Sequence, residues 1–278
     1  MNRWLLNTFE TWQLVLMIVG GGILLACLGF VLVRRFFDHD VRLENNEVGG
    51  ILLGLLGAFY GIVLGFAIVV LFEDQRSADA SVHAETTALA QLYRSTDTFP
   101  PAARVRIGKH IAQYALAVRQ IEWPLMRNGR ESIRAHDLLS TLYRDVETVN
   151  PKTTIQQNFY GQSVSSLAAL VSARRDRLTA GSESLPGVFQ VLLVGGGVVM
   201  IMFLYFFGSR NFGAHLAMIA GVAGVLAFSL LLTLILAYPF SGQIAVSSNP
   251  FRLGIVGTLD PNTGKPSGNS CFKCGGPP

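Results

Sequence analysis

VGGILLGLLGAFYGIVLGFAIVVLF, residues 48–72, decides the fold. Its 25 residues carry no charge and are bracketed by Glu47 and Glu73. As a helix the stretch extends about 37 Å, more than the roughly 30 Å of bilayer hydrocarbon, so it predicts a tilted transmembrane helix rather than a core element of a soluble protein. Gly50, Gly54, Gly57, Gly61 and Gly65 recur at spacings of four, three, four and four, which keeps them on one narrow face. The other face carries Leu52, Leu56, Phe59, Val63, Phe66 and Val70. In lipid a stripe of small residues lets a second helix approach closely, so the glycines predict helix packing. The bulky face either packs as well or lines something shared between subunits. No Pro or Gly interrupts the continuation EDQRSADASVHAETTALAQLYRST, and the helix is expected to run unbroken from the membrane into a soluble domain.

Composition agrees with that reading. Half of the 278 residues are hydrophobic and only 14% are charged. The mean hydropathy of +0.42 places the chain among membrane proteins. The net charge of +4 comes from scattered basic residues and forms no run that would suit nucleic acid. Cys27 sits in an apolar run, and Cys271 and Cys274 lie near the end, which gives no paired disulfide framework.

Upstream, residues 12–33 are free of charge and are preceded by Trp4, with Trp12 at their start, aromatic residues of the kind that settle at a membrane interface. Leu24-Leu25-Ala26-Cys27 resembles a lipoprotein cleavage box, but the apolar run continues to Val33, too long for a signal core, and predicts a retained span. Residues 34–47, RRFFDHDVRLENNE, link the two spans into a hairpin. Asp38, His39 and Asp40 are adjacent there and read as a solvated loop, since neighbours in sequence do not converge on one ion without a tight turn.

Downstream, residues 73–184 hold 14 of the 22 basic and 12 of the 18 acidic residues, which marks a soluble domain inserted between membrane hairpins. Punctuation divides it into four helices. The first continues to about Thr98 and is stopped by Pro100-Pro101. The second runs from Pro101 to Trp123-Pro124, the third from Ser132 to Val149, and the fourth from about Thr153 to Leu178. No period-two alternation occurs, so the domain should be helical. Leu185–Phe207 and Ala214–Tyr238 read as a second pair of spans, the former with Gly195-Gly196-Gly197 near its middle, the latter with small residues at Ala217, Ala220, Gly221, Gly224 and Ala227. The division is therefore 1–72 first membrane hairpin, 73–184 helical domain, 185–250 second hairpin and 251–278 a Gly-, Pro- and Ser-rich flexible tail. Cys271 and Cys274 give half a zinc site at most, or belong to a disordered end.

Four spans put both termini and the domain on one side. Arg3, Arg76, Arg174, Arg175, Arg177 and Arg252 lie near span ends on that side, against Arg34, Arg35, Arg42 and Arg210 on the other. The excess predicts a cytoplasmic domain with cytoplasmic termini in a multi-pass membrane protein.

No phosphate loop, zinc-protease motif or nucleophile elbow is present, so neither an enzyme nor a cofactor is expected. Two carboxylates stand out. Glu85 lies between Val82 and Leu89 on an apolar face, and Glu122 follows Tyr114 by eight residues. A carboxylate among apolar neighbours needs a cation, and Arg174, Arg175 and Arg177 are the candidates for a buried ion pair or for a ligand site.

In this order the motifs resemble a bacterial membrane family of unknown function called bestrophin-like: LGFAIVVLFEDQ, HAETTALAQLYR, the Pro-Pro break, Tyr114, Glu122-Trp123-Pro124, ARRDRL and AYPFSGQIAVS, from Val48 to Pro250. The resemblance implies an all-α fold of two membrane hairpins around a helical insert. It also implies a relation to bestrophins, pentameric chloride channels whose second span lines an apolar neck and whose soluble domain is cytosolic. Calcium gating does not carry over, since Asp260 alone follows the last span where calcium-gated bestrophins have an acidic cluster. Selectivity stays open, because no charge lies within residues 48–72.

Two functions suit this architecture. One is a homo-oligomeric ion channel, a ring in lipid with Phe59, Val63, Phe66 and Val70 forming a dry constriction for inorganic ions. The other is a membrane-anchored sensor or scaffold whose helical domain binds a partner. Subunit number and a central conduit separate them.

Overall fold

The computed structural model describes residues 2–36, 46–182, 186–207 and 211–266. Asp38, His39, Asp40, Cys271 and Cys274 lie outside the described residues. Helices account for nearly all regular structure: α1 (Asn2–Thr8), α2 (Thr11–Phe36), α3 (Asn46–Ser95), α4 (Pro101–Ala117), α5 (Trp123–Met126), α6 (Ile133–Glu147), α7 (Thr154–Ser182), α8 (Gly187–Tyr205), α9 (Phe212–Leu236) and α10 (Gly254–Thr258). Among the described residues, four helical segments are long and apolar enough to cross a membrane, found in α2, the first half of α3, α8 and α9. α3 is a single helix of 50 residues with no break between Phe72 and Ser81, as the absence of Gly and Pro there requires.

The chain divides into two units, residues 1–75 with 183–245 and residues 76–182 with 246–278. The first is the membrane unit. α2 and α9 approach closely where Gly22 faces Ala227, with 3.0 Å from the place of a Gly22 Cβ to the Ala227 methyl, and Gly224 accommodates Ile23 in the same manner. Around this contact Ala26, Phe30, Leu204, Tyr205, Ile219 and Ala223 form a core. The Tyr205 hydroxyl crosses above Gly29, where a side chain would collide with it, and donates to the Ala26 carbonyl at 2.8 Å. His215 is buried against Phe30 with its Nε2 3.1 Å from the Leu204 carbonyl oxygen. Trp4 and Trp12 stay exposed.

The second unit is the helical domain. Ser132 caps α6 by accepting the Ala135 N–H, and Pro101 opens α4 where an N–H has no intrahelical partner. α4 packs along α6, with Ile107, Ile111, Leu139, Leu142 and Val146 buried. Arg106 and His110 of α4 both bond to the carboxylate of Asp145 on α6.

The expectation of a flexible tail from residue 251 fails over residues 251–266. Phe251 is fully buried, a 3₁₀ turn and α10 follow, and Leu259 bridges Pro266. The intervening turn is organised by Asp260, which accepts the Asn262 N–H at 2.8 Å; that bond holds its carboxyl below the usual range. Gly264 takes a positive φ of 66° and lies against Val105 and Lys109 of α4, so near that a Cβ would collide with their backbone. Gly108 meets the Gly264 carbonyl oxygen with equal closeness. Composition alone suggests disorder there, yet the same glycines permit backbone-to-backbone docking.

Candidate functional site

Along the membrane part of α3, three stripes share the circumference, not two. Tyr60, Leu64, Ala67 and Leu71, spaced by four, three and four, are the stripe buried within the membrane unit. The first three join Leu193 and Leu226 in one core, and Leu71 joins Leu6, Leu14 and Leu231 in another. Tyr60 fixes the register: its hydroxyl donates to the Leu193 carbonyl at 2.7 Å, and its ring occupies the space left by Gly196. It is the only side chain in residues 48–72 with a hydroxyl, a polar group in lipid that must find an internal acceptor.

The glycine stripe flanks this buried face and is only partly covered. Gly50 faces Phe207 and Gly57 faces Met200, whereas Gly54, Gly61 and Gly65 have open space before them within the chain. On the other flank Phe59 and Phe66 are 67% and 70% exposed, and Val70 is exposed as well. Val63 differs from the expected grouping, because it packs against the Tyr60 and Leu64 core. The uncovered surface of α3 thus comprises an aromatic stripe, a small-residue stripe and the apolar side chains Ile51, Leu55, Ile62 and Val69.

In the helical domain the structure brings Glu85, Glu122, Arg174 and Arg177 into direct contact. Arg177, fully buried on α7, donates from Nε to Glu85 Oε2 at 2.5 Å and from Nη2 to Glu122 Oε1 at 2.6 Å, and its Nη1 points at the Met126 sulfur. Arg174, one turn earlier, donates from Nη2 to Glu122 Oε2 at 2.6 Å and reaches the Ser132 carbonyl. Tyr114 completes the group by donating to Glu85 Oε1 at 2.7 Å. The Arg177 guanidinium lies 5.5 Å from the Trp123 ring and 6.0 Å from Phe251, which meet edge to face. Arg175 is exposed and takes no part: one residue past Arg174 on a helix, it points away from the pair its neighbours make.

Two carboxylates and two guanidiniums balance, and the electrostatics follow. Burial works against the charge of Arg177, but Glu85 and then Glu122 outweigh it and hold the proton well above the ordinary arginine value. Burial likewise opposes the Glu122 charge, and Arg177 with Arg174 reverses the sign, so its pKa is lowered. Burial, then the Glu85 carboxylate, keeps the Tyr114 phenol neutral well above its usual range. At neutral pH Arg177 and Glu122 are thus held charged and Tyr114 neutral.

A π turn over Val118–Glu122 aims Glu122 inward; it immediately precedes Trp123-Pro124, where Pro124 has no N–H to give to the turn before it. Nothing in the periodicity of the sequence marks that widening. Among the described residues no three His, Cys, Asp or Glu side chains converge as metal ligands would.

A family model described as the Bestrophin-like domain matches residues 20–251. Among solved structures, the fold is similar to that of a point mutant of a bacterial bestrophin homologue from Klebsiella pneumoniae, with a TM-score of 0.61 at 15% identity over 83% of this chain and 95% of that one. A second point mutant of such a homologue from the same organism gives a TM-score of 0.56 at 17% identity, over 83% of this chain and 93% of that one. A structure described as a membrane protein carrying a single substitution gives 0.58 at 15% identity, with the same two coverages. No curated protein matches the chain.

Proposed function

Because this chain belongs to the bestrophin-like family, we propose that it is an oligomeric ion channel of the multi-pass type, with α3 of each subunit turned toward a common axis. The observation that carries the reading is the distribution of bulk around α3. Phe59, Phe66 and Val70 stand on a stripe that the subunit's own helices leave bare, while Gly54, Gly61 and Gly65 leave a second flank free for close approach by another helix.

In a ring these two flanks have different occupants. The glycine flank meets the neighbouring subunit, and the aromatic stripe forms a dry constriction that opens by wetting. The resemblance to bestrophins favours five subunits. The inner membrane is the expected location, with the helical domain cytoplasmic by the arginine excess near its span ends. The reaction is passage of inorganic ions, with no catalytic group assigned.

Cryo-electron microscopy or native mass of the detergent-solubilised protein tests this. A closed ring with Phe59 and Phe66 at a central conduit is the expected result. A dimer without a conduit, with both phenylalanines against lipid, would transfer the protein to a sensor or scaffold role for the helical domain.

A further inference from the structure

The helical domain contains an open cleft of about 580 Å³ between α6, the end of α7 and the loop after α5. That volume is within the range occupied by small-molecule sites. Its wall includes Leu139, Val171 and Leu178, and its charged groups are Arg130, Arg174, Arg175 and Glu131. Three guanidiniums therefore face one carboxylate.

Arg174 is the informative member. It is 5% exposed, its Nε and Nη2 are taken by Glu122 and the Ser132 carbonyl, and its Nη1 has no hydrogen-bond partner among the described residues. That nitrogen belongs to a residue lining the cleft and is not buried, so it is a donor open to an acceptor placed there. Glu122 does not need that nitrogen, because Arg177 already donates to its other oxygen. At the rim Arg130 and Arg175 are exposed and have no ion-pair partner among the described residues. The core pair alone thus leaves unexplained why two further arginines gather at the edge of the same cleft.

We propose that the cleft binds a small organic anion, its phosphate or carboxylate held by Arg174 Nη1, Arg130 and Arg175 and its apolar body laid against Leu139, Val171 and Leu178. Guanidiniums suit such a head group because their planar N–H pairs match two oxygens at once. Two sources carry that chemistry, a lipid headgroup and a soluble organic phosphate.

The test titrates phenyl phosphate into the full chain in phosphatidylcholine nanodiscs, followed by calorimetry. Saturable binding is expected, weaker by about tenfold for inorganic phosphate, which lacks the apolar body, and by about tenfold for the Arg130→Ala/Arg175→Ala double variant. Both arginines stand outside the Glu85–Arg177–Glu122 cluster, so this variant should melt like the parent. Arg174→Lys, which keeps a charge for Glu122 but has no Nη1, should weaken binding as well. Nanodiscs containing phosphatidic acid identify the source: a lowered apparent affinity for phenyl phosphate assigns the site to a lipid headgroup, and an unchanged one to a soluble anion. Absence of saturable binding, or equal binding by parent and double variant, overturns the proposal. Ion flux does not enter the readout, so the result is independent of the channel reading.

Discussion

Arg177 Nε lies 2.5 Å from Glu85 Oε2, and neither side chain has any exposed surface. The ion pair joins α3 to α7 through the middle of the helical domain, and its energetics are those of two charges that have each lost their water. Arg177→Met should therefore destabilise the protein by about 3–5 kcal/mol, since it strands Glu85 without a cation. Adding Glu85→Gln to Arg177→Met should restore part of that loss. Denaturation of both variants in the same detergent measures the difference; a double variant less stable than the single one would remove the stranded-charge argument.

Acid should act through Glu122. Its pKa lies below the ordinary value of 4.5 in the folded protein, so the unfolded chain binds the proton more readily. The stabilisation is complete above about 4.5 and is lost as pH falls through the lower, folded value. Glu122→Gln should melt at a lower temperature at neutral pH and show a shallower decline on acidification than the parent. Parallel melting curves across the acid range would show that Glu122 is not the responsible group.

Gly196 should tolerate no side chain while Tyr60 is present. A Cβ there would stand 2.7 Å from two atoms of the Tyr60 ring. Gly196→Ala is expected to cost about 1–3 kcal/mol through overpacking, and Tyr60→Ala in the same chain should recover part of it. The coupling is read from the four melting temperatures of the cycle.

Phe66→Ala should widen and wet the proposed constriction and raise ion flux into liposomes on the order of tenfold. Phe59→Ala/Phe66→Ala should raise it further. A double variant that conducts like the parent would place the limiting ring elsewhere than on this face.

Gly264→Ala should release the turn from α4. The substitution strains a positive φ of 66° and drives a methyl group into the backbone around Val105. Faster amide exchange confined to Val105–Lys109 and the turn itself is the expected outcome, with the melting temperature lowered modestly.

The helices were legible because their limits are written in charges and prolines. The charge-free run of residues 48–72 and the break at Pro100-Pro101 need no tertiary knowledge to place. Glu85 and Glu122 were legible for another reason, since a carboxylate on an apolar stripe requires a counter-charge. The buried stripe of α3 was not. Where every residue of a span is apolar, periodicity cannot tell the face that meets a helix from the face that does not, and Tyr60 was the single polar clue. The π turn before Trp123 and the ordered stretch to Pro266 were equally hidden, the one because it shifts the register without a change in composition, the other because glycine marks close docking as well as looseness.

Phe251 has a consequence for the order of events during synthesis. It packs beside Trp123 and over Arg177, yet it is made only after both helices of the second membrane hairpin. Residues 76–182 precede that ring in the chain, and the turn at Asp260–Lys265 comes later still. The packing around the charged centre is thus complete only once the chain beyond α8 and α9 has been made. Its last stitch is sewn by the segment that emerges behind them.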